Sequence, residues 1–137
     1  MPDTNWDRYV IKPPKPTFSE KIKEIGKNVN EWKRHKHYRR HGLKLKDVAA
    51  ELGTNSAYLS FYIRKAEDTT FVPWLNNLRI EEAKRLMLSH PEMSIYDIGY
   101  KVGQPHPASV KQAFVKITGQ TPDEWKIENV EINKDND

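Results

Sequence analysis

Two groups of side chains in this 137-residue sequence could read another molecule's polar edges. In the segment opening at Ser56, Leu59 and Ile63 point inward with Tyr58 and Tyr62 beside them. That leaves Ser56, Ala57, Ser60, Phe61 and Arg64 on the outer side. In a second segment Val110, Ala113, Phe114 and Ile117 form an i, i+3, i+4, i+7 stripe. Ala108, Ser109, Lys111 and Gln112 then face out. Serine hydroxyls donate or accept weakly with several bases, and Phe61 or Ala57 suits a thymine methyl. The Gln112 amide can donate and accept at once, as bidentate contact with adenine requires. Lys44, Lys46, Ser94, Lys111 and Lys116 add cations and a helix-start backbone of the kind that contacts phosphate.

Other chemistries find little support. The chain has no cysteine, which excludes disulfides and thiolate nucleophiles. His35, His37 and His41 are close together, but no cysteine or paired carboxylate motif accompanies them, and no metal is assigned there. No phosphate-binding glycine loop, nucleophile elbow or H-E-x-x-H appears, so neither an enzyme nor a cofactor is called for. The formal net charge of +4 is mildly basic and compatible with nucleic acid. No apolar run approaches the roughly 20 residues of a membrane span, and no signal-peptide core follows Met1, so a cytoplasmic location is expected.

The elements that must carry these side chains are helical throughout; nothing alternates with period two. Residues 1–16 hold four prolines and read as an extended or disordered tail. Phe18, Ile22, Ile25, Val29 and Trp32 form one apolar stripe of a helix within 17–42, with Ser19 as N-cap and Gly42 as stop. The region 43–69 divides into Leu45–Leu52 and Ser56–Arg64 around Gly53. A connecting helix, Phe71–Leu88 within 70–90, turns Leu75, Leu78, Ala83, Leu86 and Met87 inward and keeps Arg79, Glu82 and Arg85 on a polar side. Within 91–127, Ser94 caps a helix to Val102, Pro107–Ile117 follows a turn, and Thr121 opens a last short helix. Residues 128–137 read as a tail.

Self-comparison exposes a duplication. Lys44-Leu45-Lys46-Asp47-Val48 aligns with Ser94-Ile95-Tyr96-Asp97-Ile98, and Leu52-Gly53 with Val102-Gly103, at one offset. Beyond the turn the second copy has one extra residue: Leu59 then aligns with Val110, Ile63 with Phe114, Thr70 with Thr121 and Trp74 with Trp125. Each copy is helix, glycine turn, helix. The predicted fold class is all-α: two helix-turn-helix subdomains joined by a long connecting helix, with an extra N-terminal helix. The connecting helix spans roughly 27 Å, which with the turns could place the two second helices about one DNA turn, roughly 34 Å, apart.

Three stretches carry a family resemblance: "LKLKDVAAELGTNSAYLSFYI", "TFVPWLNNLRIEEAKRLML" and "MSIYDIGYKVGQPHPASVKQAFVKITGQTPDEW". Together, over about residues 43–126, they resemble the DNA-binding domain of AraC-type transcriptional regulators. The resemblance implies sequence-specific binding to double-stranded DNA, with recognition helices 56–64 and 107–117 in successive major grooves and Gln112 as the foremost base reader. It also implies RNA polymerase or another regulatory domain as partner. "GTNSAYLS" and "WLNNLRI" look like members whose N-terminal region is membrane-anchored or sensory, so the cytoplasmic part of an anchored regulator is a second expectation. The sequence departs from the family at Gln104, in place of an aromatic, at Gly99, in place of alanine, and at Asp68, in place of glycine. Pro105 and Pro107 bracket His106, and Val115 replaces a lysine.

The basic run 33–46, KRHKHYRRHGLKLK, could lie at a DNA backbone, at an anionic membrane, or simply at a helix end whose dipole favours cations. The alternative function is a helical protein-interaction module without specific DNA binding, with Phe18–Trp32 docking a partner helix.

Overall fold

The computed structural model describes residues 14–131. Seven α-helices occur among the described residues, and no strand. Helix α1 spans Phe18–Arg34, α2 Leu45–Glu51, α3 Ser56–Glu67, α4 Phe71–Ser89, α5 Ile95–Val102, α6 Pro107–Thr118 and α7 Pro122–Lys126. A 3-10 turn, His37–Arg39, lies between α1 and α2, and a wider π-type turn, Ile127–Glu131, continues α7. The prolines at 1–13 and the end at 132–137 lie outside the described residues.

The apolar positions sort into two cores strung along one helix. The first gathers Ile25, Val29 and Trp32 of α1, Val48 and Leu59 of the first helix pair, and Phe71, Trp74 and Leu75 of α4. Trp32 stacks on Trp74 at 5.7 Å. The second gathers Ile80, Ala83 and Met87 of α4 with Ile98, Val102, Val110 and Phe114 of the second pair. Trp125 meets Phe114 edge-on at 5.9 Å. Alpha-4 therefore has an apolar contact on each half and a polar step between them, where Asn76 and Arg79 fall.

The duplication extends to individual hydrogen bonds. In the first turn Gly53 N–H donates to Ala50 O and Thr54 N–H to Ala49 O; in the second, Gly103 donates to Tyr100 O and Gln104 to Gly99 O. Each bond of one copy maps onto the other at an offset of 50. Both glycines hold positive φ, 71° and 100°, where a Cβ is penalised. Past the turn the copies diverge. The Asn55 side chain caps α3 by accepting from Tyr58 N–H, whereas His106 offers no side-chain cap and Pro107 takes the first position of α6.

Several expected details are corrected. The N-cap of α1 is Thr17 rather than Ser19, in a capping box with Glu20. The helix ends at Arg34, well before Gly42, because Lys36 adopts a left-handed conformation at φ 57°. Alpha-3 runs to Glu67 instead of Arg64. Glu128 and Asn129, expected in a tail, belong to the turn that follows α7, and Asn129 donates to Trp125 O at 2.8 Å. Arg79 and Glu82, expected on a polar surface, are buried. Most of their partners come from residues 36–40, in and beside the 3-10 turn, which no helical period could announce; Glu82 also pairs with Arg85 of its own helix.

Candidate nucleic-acid interface

Helix α3 is held from behind by Leu59 and Ile63, both fully buried. Ala57, Ser60, Phe61 and Arg64 are exposed on its other side, and Ser56 is half-buried at its start. Phe61 is not a free probe. Phe18, at the start of α1, meets its ring edge-on at 4.8 Å, and the Lys65 ammonium lies 5.9 Å from its centre. The Tyr62 ring lies against Gly26 of α1, where an added Cβ would come within 3.2 Å of it. Phe18 belongs to the α1 stripe by spacing, and only the fold shows that it reaches past the core to the outer side of α3.

Helix α6 is anchored by Val110, Ala113 and Phe114, all buried. Ala108, Ser109, Lys111, Gln112 and Lys116 are exposed. Alpha-6 contains no carboxylate, and the one in α3, Glu67, is paired with Lys33 at 3.2 Å. Both outward faces are thus free of unpaired negative charge.

Around these faces Lys44, Lys46 and Ser94 fall at helix starts, while Lys111 and Lys116 lie along α6. Lys44 is the N-cap residue of α2, Lys46 lies in its first turn, and both are exposed. Ser94 caps α5, its hydroxyl accepting from Asp97 N–H at 3.1 Å. Lys111 reaches across from α6 to the Tyr96 ring, 5.2 Å from its centre. Its ammonium donates to the Tyr96 hydroxyl at 3.4 Å. Tyr96 escaped the sequence reading; its signal was an aromatic residue two positions after the cap, on the outer side of α5.

The basic run 33–46 is mostly engaged inside the protein. Arg40 pairs with Glu51, which also accepts from the Trp32 indole at 3.0 Å. The Arg40 hydrogen bond holds the Glu51 carboxyl below the usual carboxylate range. Arg39, Arg85 and Lys36 converge on buried Glu82. Burial pushes that carboxyl up, but hydrogen bonds from Arg85 and Arg39 outweigh it and leave it at about 2. Arg79 donates to Tyr38 O at 2.8 Å and to Arg40 O at 2.7 Å; burial lowers it to about 10, so it stays charged at neutral pH. His41 contacts Tyr100 O at 2.8 Å. Lys44 and Lys46 are the cations of the run that lie beside the first helix pair's outer surface, and the run as a whole is not a free basic strip.

Two departures from the family pattern, Gly99 and Gln104, acquire physical reasons. A Cβ on Gly99 would meet Gln104 O at 2.8 Å, so the second turn is too tight there for alanine. Gln104 is buried, and its amide donates to Asn76 of α4 at 2.6 Å. Asp68 ends α3 in the left-handed region at φ 50°.

A pair of glycine-turn helix corners on one connecting helix, each with an outward face free of unpaired carboxylate, defines a double helix-turn-helix protein. The chain matches the family described as helix-turn-helix domain over residues 48–127, more than half its length, and it belongs to the AraC-type helix-turn-helix family of DNA-binding transcription regulators. Its function is sequence-specific DNA binding as part of such a regulator. Family and fold are those of regulators rather than enzymes. Among solved structures it is similar to the C-terminal domain of AraT, a response regulator from Geobacillus stearothermophilus, at 26% identity and TM-score 0.68, covering 77% of this chain and 85% of that one. The C-terminal domain of the two-component response regulator yesN from Fusobacterium nucleatum shares 26% identity at TM-score 0.62, covering 72% and 98%. The DNA-binding domain of AdpA, solved with a target DNA, shares the fold at 17% identity and TM-score 0.66, covering 77% and 91%. No curated protein matches the sequence. Among the described residues no helix is long and apolar enough to cross a membrane.

Proposed function

We propose that α3 and α6 enter successive major grooves of one duplex. Ser56, Ala57, Ser60, Phe61 and Arg64 face the bases of one block, and Ala108, Ser109 and Gln112 face those of a second block about ten base pairs away. Lys44, Lys46, Ser94, Lys111 and Lys116 contact phosphates. The observation that carries this reading is the hydrogen-bond-level equivalence of the two corners, each of which packs its second helix against its own half of α4. AdpA's domain was solved on a target DNA, which supports a duplex as the ligand.

Of the two heads the second is the sharper reader. Gln112 can bind adenine in a bidentate way, whereas the first head presents small hydroxyls and an aromatic ring already shared with Phe18. The protein partner is RNA polymerase or another regulatory domain, and the place of action the cytoplasm. Methylation protection of guanine N7 on a selected duplex tests the reading. Two protected blocks about one turn apart are expected. Protection of one block alone contradicts two-headed binding. The regulatory half is tested by transcription from a promoter carrying that site with purified polymerase, whose rate should change when the protein is added.

A further inference from the structure

The two apolar cores do not merge. Leu78 is the last residue of α4 packed on the first and Ile80 the first of the second, and beside them Asn76 and Arg79 make polar contacts. A long helix joining two bodies curves gently, so their relative setting also depends on what else crosses between them. What restrains this pair is the segment 36–41, which touches all three parties. Toward the first helix pair, Arg40 bonds Glu51 of α2. Toward α4, Tyr38 O and Arg40 O accept from Arg79, while Arg39 and the Tyr38 hydroxyl reach Glu82. Toward the second pair, His41 contacts Tyr100 O. Gly103 is seated so closely that a Cβ would lie 2.9 Å from both Arg39 O and Tyr38 O.

A buried carboxylate with several cations is an unusual way to hold a seam. For stability alone, well-packed apolar residues serve as well or better, whereas directional pairs admit one registered arrangement. We propose that segment 36–41, clamped on Arg79 and Glu82, is the gauge that fixes the relative setting of the two recognition helices and thereby the block spacing this protein accepts on DNA. The gauge residues are positioning residues, since none of them is placed at a base. The proposal rests on the two-headed reading above. Each base pair inserted between blocks moves the second block by about 3.4 Å and rotates it by about 35°, so a fixed setting must reject a wrong spacing.

The test uses the duplex selected by the wild-type chain from a random pool, variants of it with the blocks one base pair closer or farther, and a duplex keeping only one block. Wild type, Glu82→Gln and the milder Arg39→Gln are titrated on each. Glu81→Gln is the control, breaking the Lys84 ion pair on the same helix without crossing the seam. Because the chain has no cysteine, spin labels at Ala66→Cys of α3 and Val115→Cys of α6 report the distance between heads without DNA.

Wild type and the control should lose about tenfold or more for a one-base-pair change, the size of one mismatched pair. The gauge variants should lose less than about threefold, bind the one-block duplex as wild type does, and show a broadened label distance. Spacing preference kept in both variants, or an equal loss on every duplex including the one-block form, would overturn the gauge. So would a label distance that stays narrow in both variants. A wild type indifferent to both blocks would overturn the two-headed reading and the spacing claim with it. The label distances then separate that result from a failure of the gauge itself.

Discussion

Gly53 and Gly103 occupy equivalent places in the repeat and do different work. Gly53 has open space where a methyl group would sit and needs only its positive φ. Gly103 needs the φ and the absence of a side chain, since a Cβ there would lie 2.8 Å from the Arg79 guanidinium and 2.9 Å from two carbonyls. Gly53→Ala is expected to cost about 1–2 kcal/mol of folding stability, the ordinary left-handed penalty. Gly103→Ala adds overpacking of about 1–3 kcal/mol, so denaturant melts should rank it clearly lower. Equal losses in the two variants would contradict the seating of the second turn on the 36–41 segment. Gln112→Ala should weaken binding by about 1–3 kcal/mol on a duplex with its preferred base and by little on one without it, leaving the melt unchanged. The glycines were legible in the sequence as turn formers. That one of them is also a contact was not, because its neighbours come from residues 38, 39 and 79.

At the scale of elements, what the sequence reveals is whatever repeats locally. Core stripes of α1, α3 and α6 follow from 3- and 4-residue spacing, and Ser94 and Thr121 follow from cap chemistry. The Thr17–Glu20 capping box obeys the same chemistry, but the sequence reading places the cap at Ser19. The end of α1 was not readable, since lysine gives no sign of the left-handed conformation Lys36 adopts. Charged Arg79 and Glu82 read as polar by type, and their burial is tolerable because residues 36–40, and for Glu82 also Arg85 of its own helix, supply their partners. Two predictions belong here. Asp68 ends α3 at φ 50°, so Asp68→Gly should stabilise by about 0.5–1 kcal/mol, read as a higher melting temperature. Glu82 titrates near 4.5 unfolded and at about 2 folded. On acidification the unfolded chain takes up its proton first, so the stability is complete above that higher value. It drains away as pH falls from 4.5 toward 2, by up to on the order of 3 kcal/mol. Glu82→Gln should flatten this acid limb; an unchanged limb would mean other carboxylates set it.

For the whole molecule, the mild net charge matters less than its distribution. Much of the densest basic run is paired with Glu51 and Glu82, and the second helices carry Arg64 and Lys65 of α3 and Lys111 and Lys116 of α6 with no unpaired acid. Binding should therefore weaken with salt, each phosphate contact contributing about 0.9 to the slope of log affinity on log salt. Replacing Lys44, Lys46, Lys111 or Lys116 singly by Gln should lower that slope by about 1 at any sequence. Arg39→Gln should leave the slope unchanged, because its partner is Glu82. The duplicated architecture was visible at the sequence level because both copies keep their inward residues and turn glycine. Which charges face out was not, since pairing is decided between elements far apart in the chain.

The most direct measurement is selection of duplexes from a random pool by wild type, repeated with Gln112→Ala and with Ser60→Ala. Wild type should enrich two short blocks about ten base pairs apart. Gln112→Ala should blur only one block, and Ser60→Ala only the other. Enrichment of a single block, or two variants that blur the same one, would contradict reading by both helices.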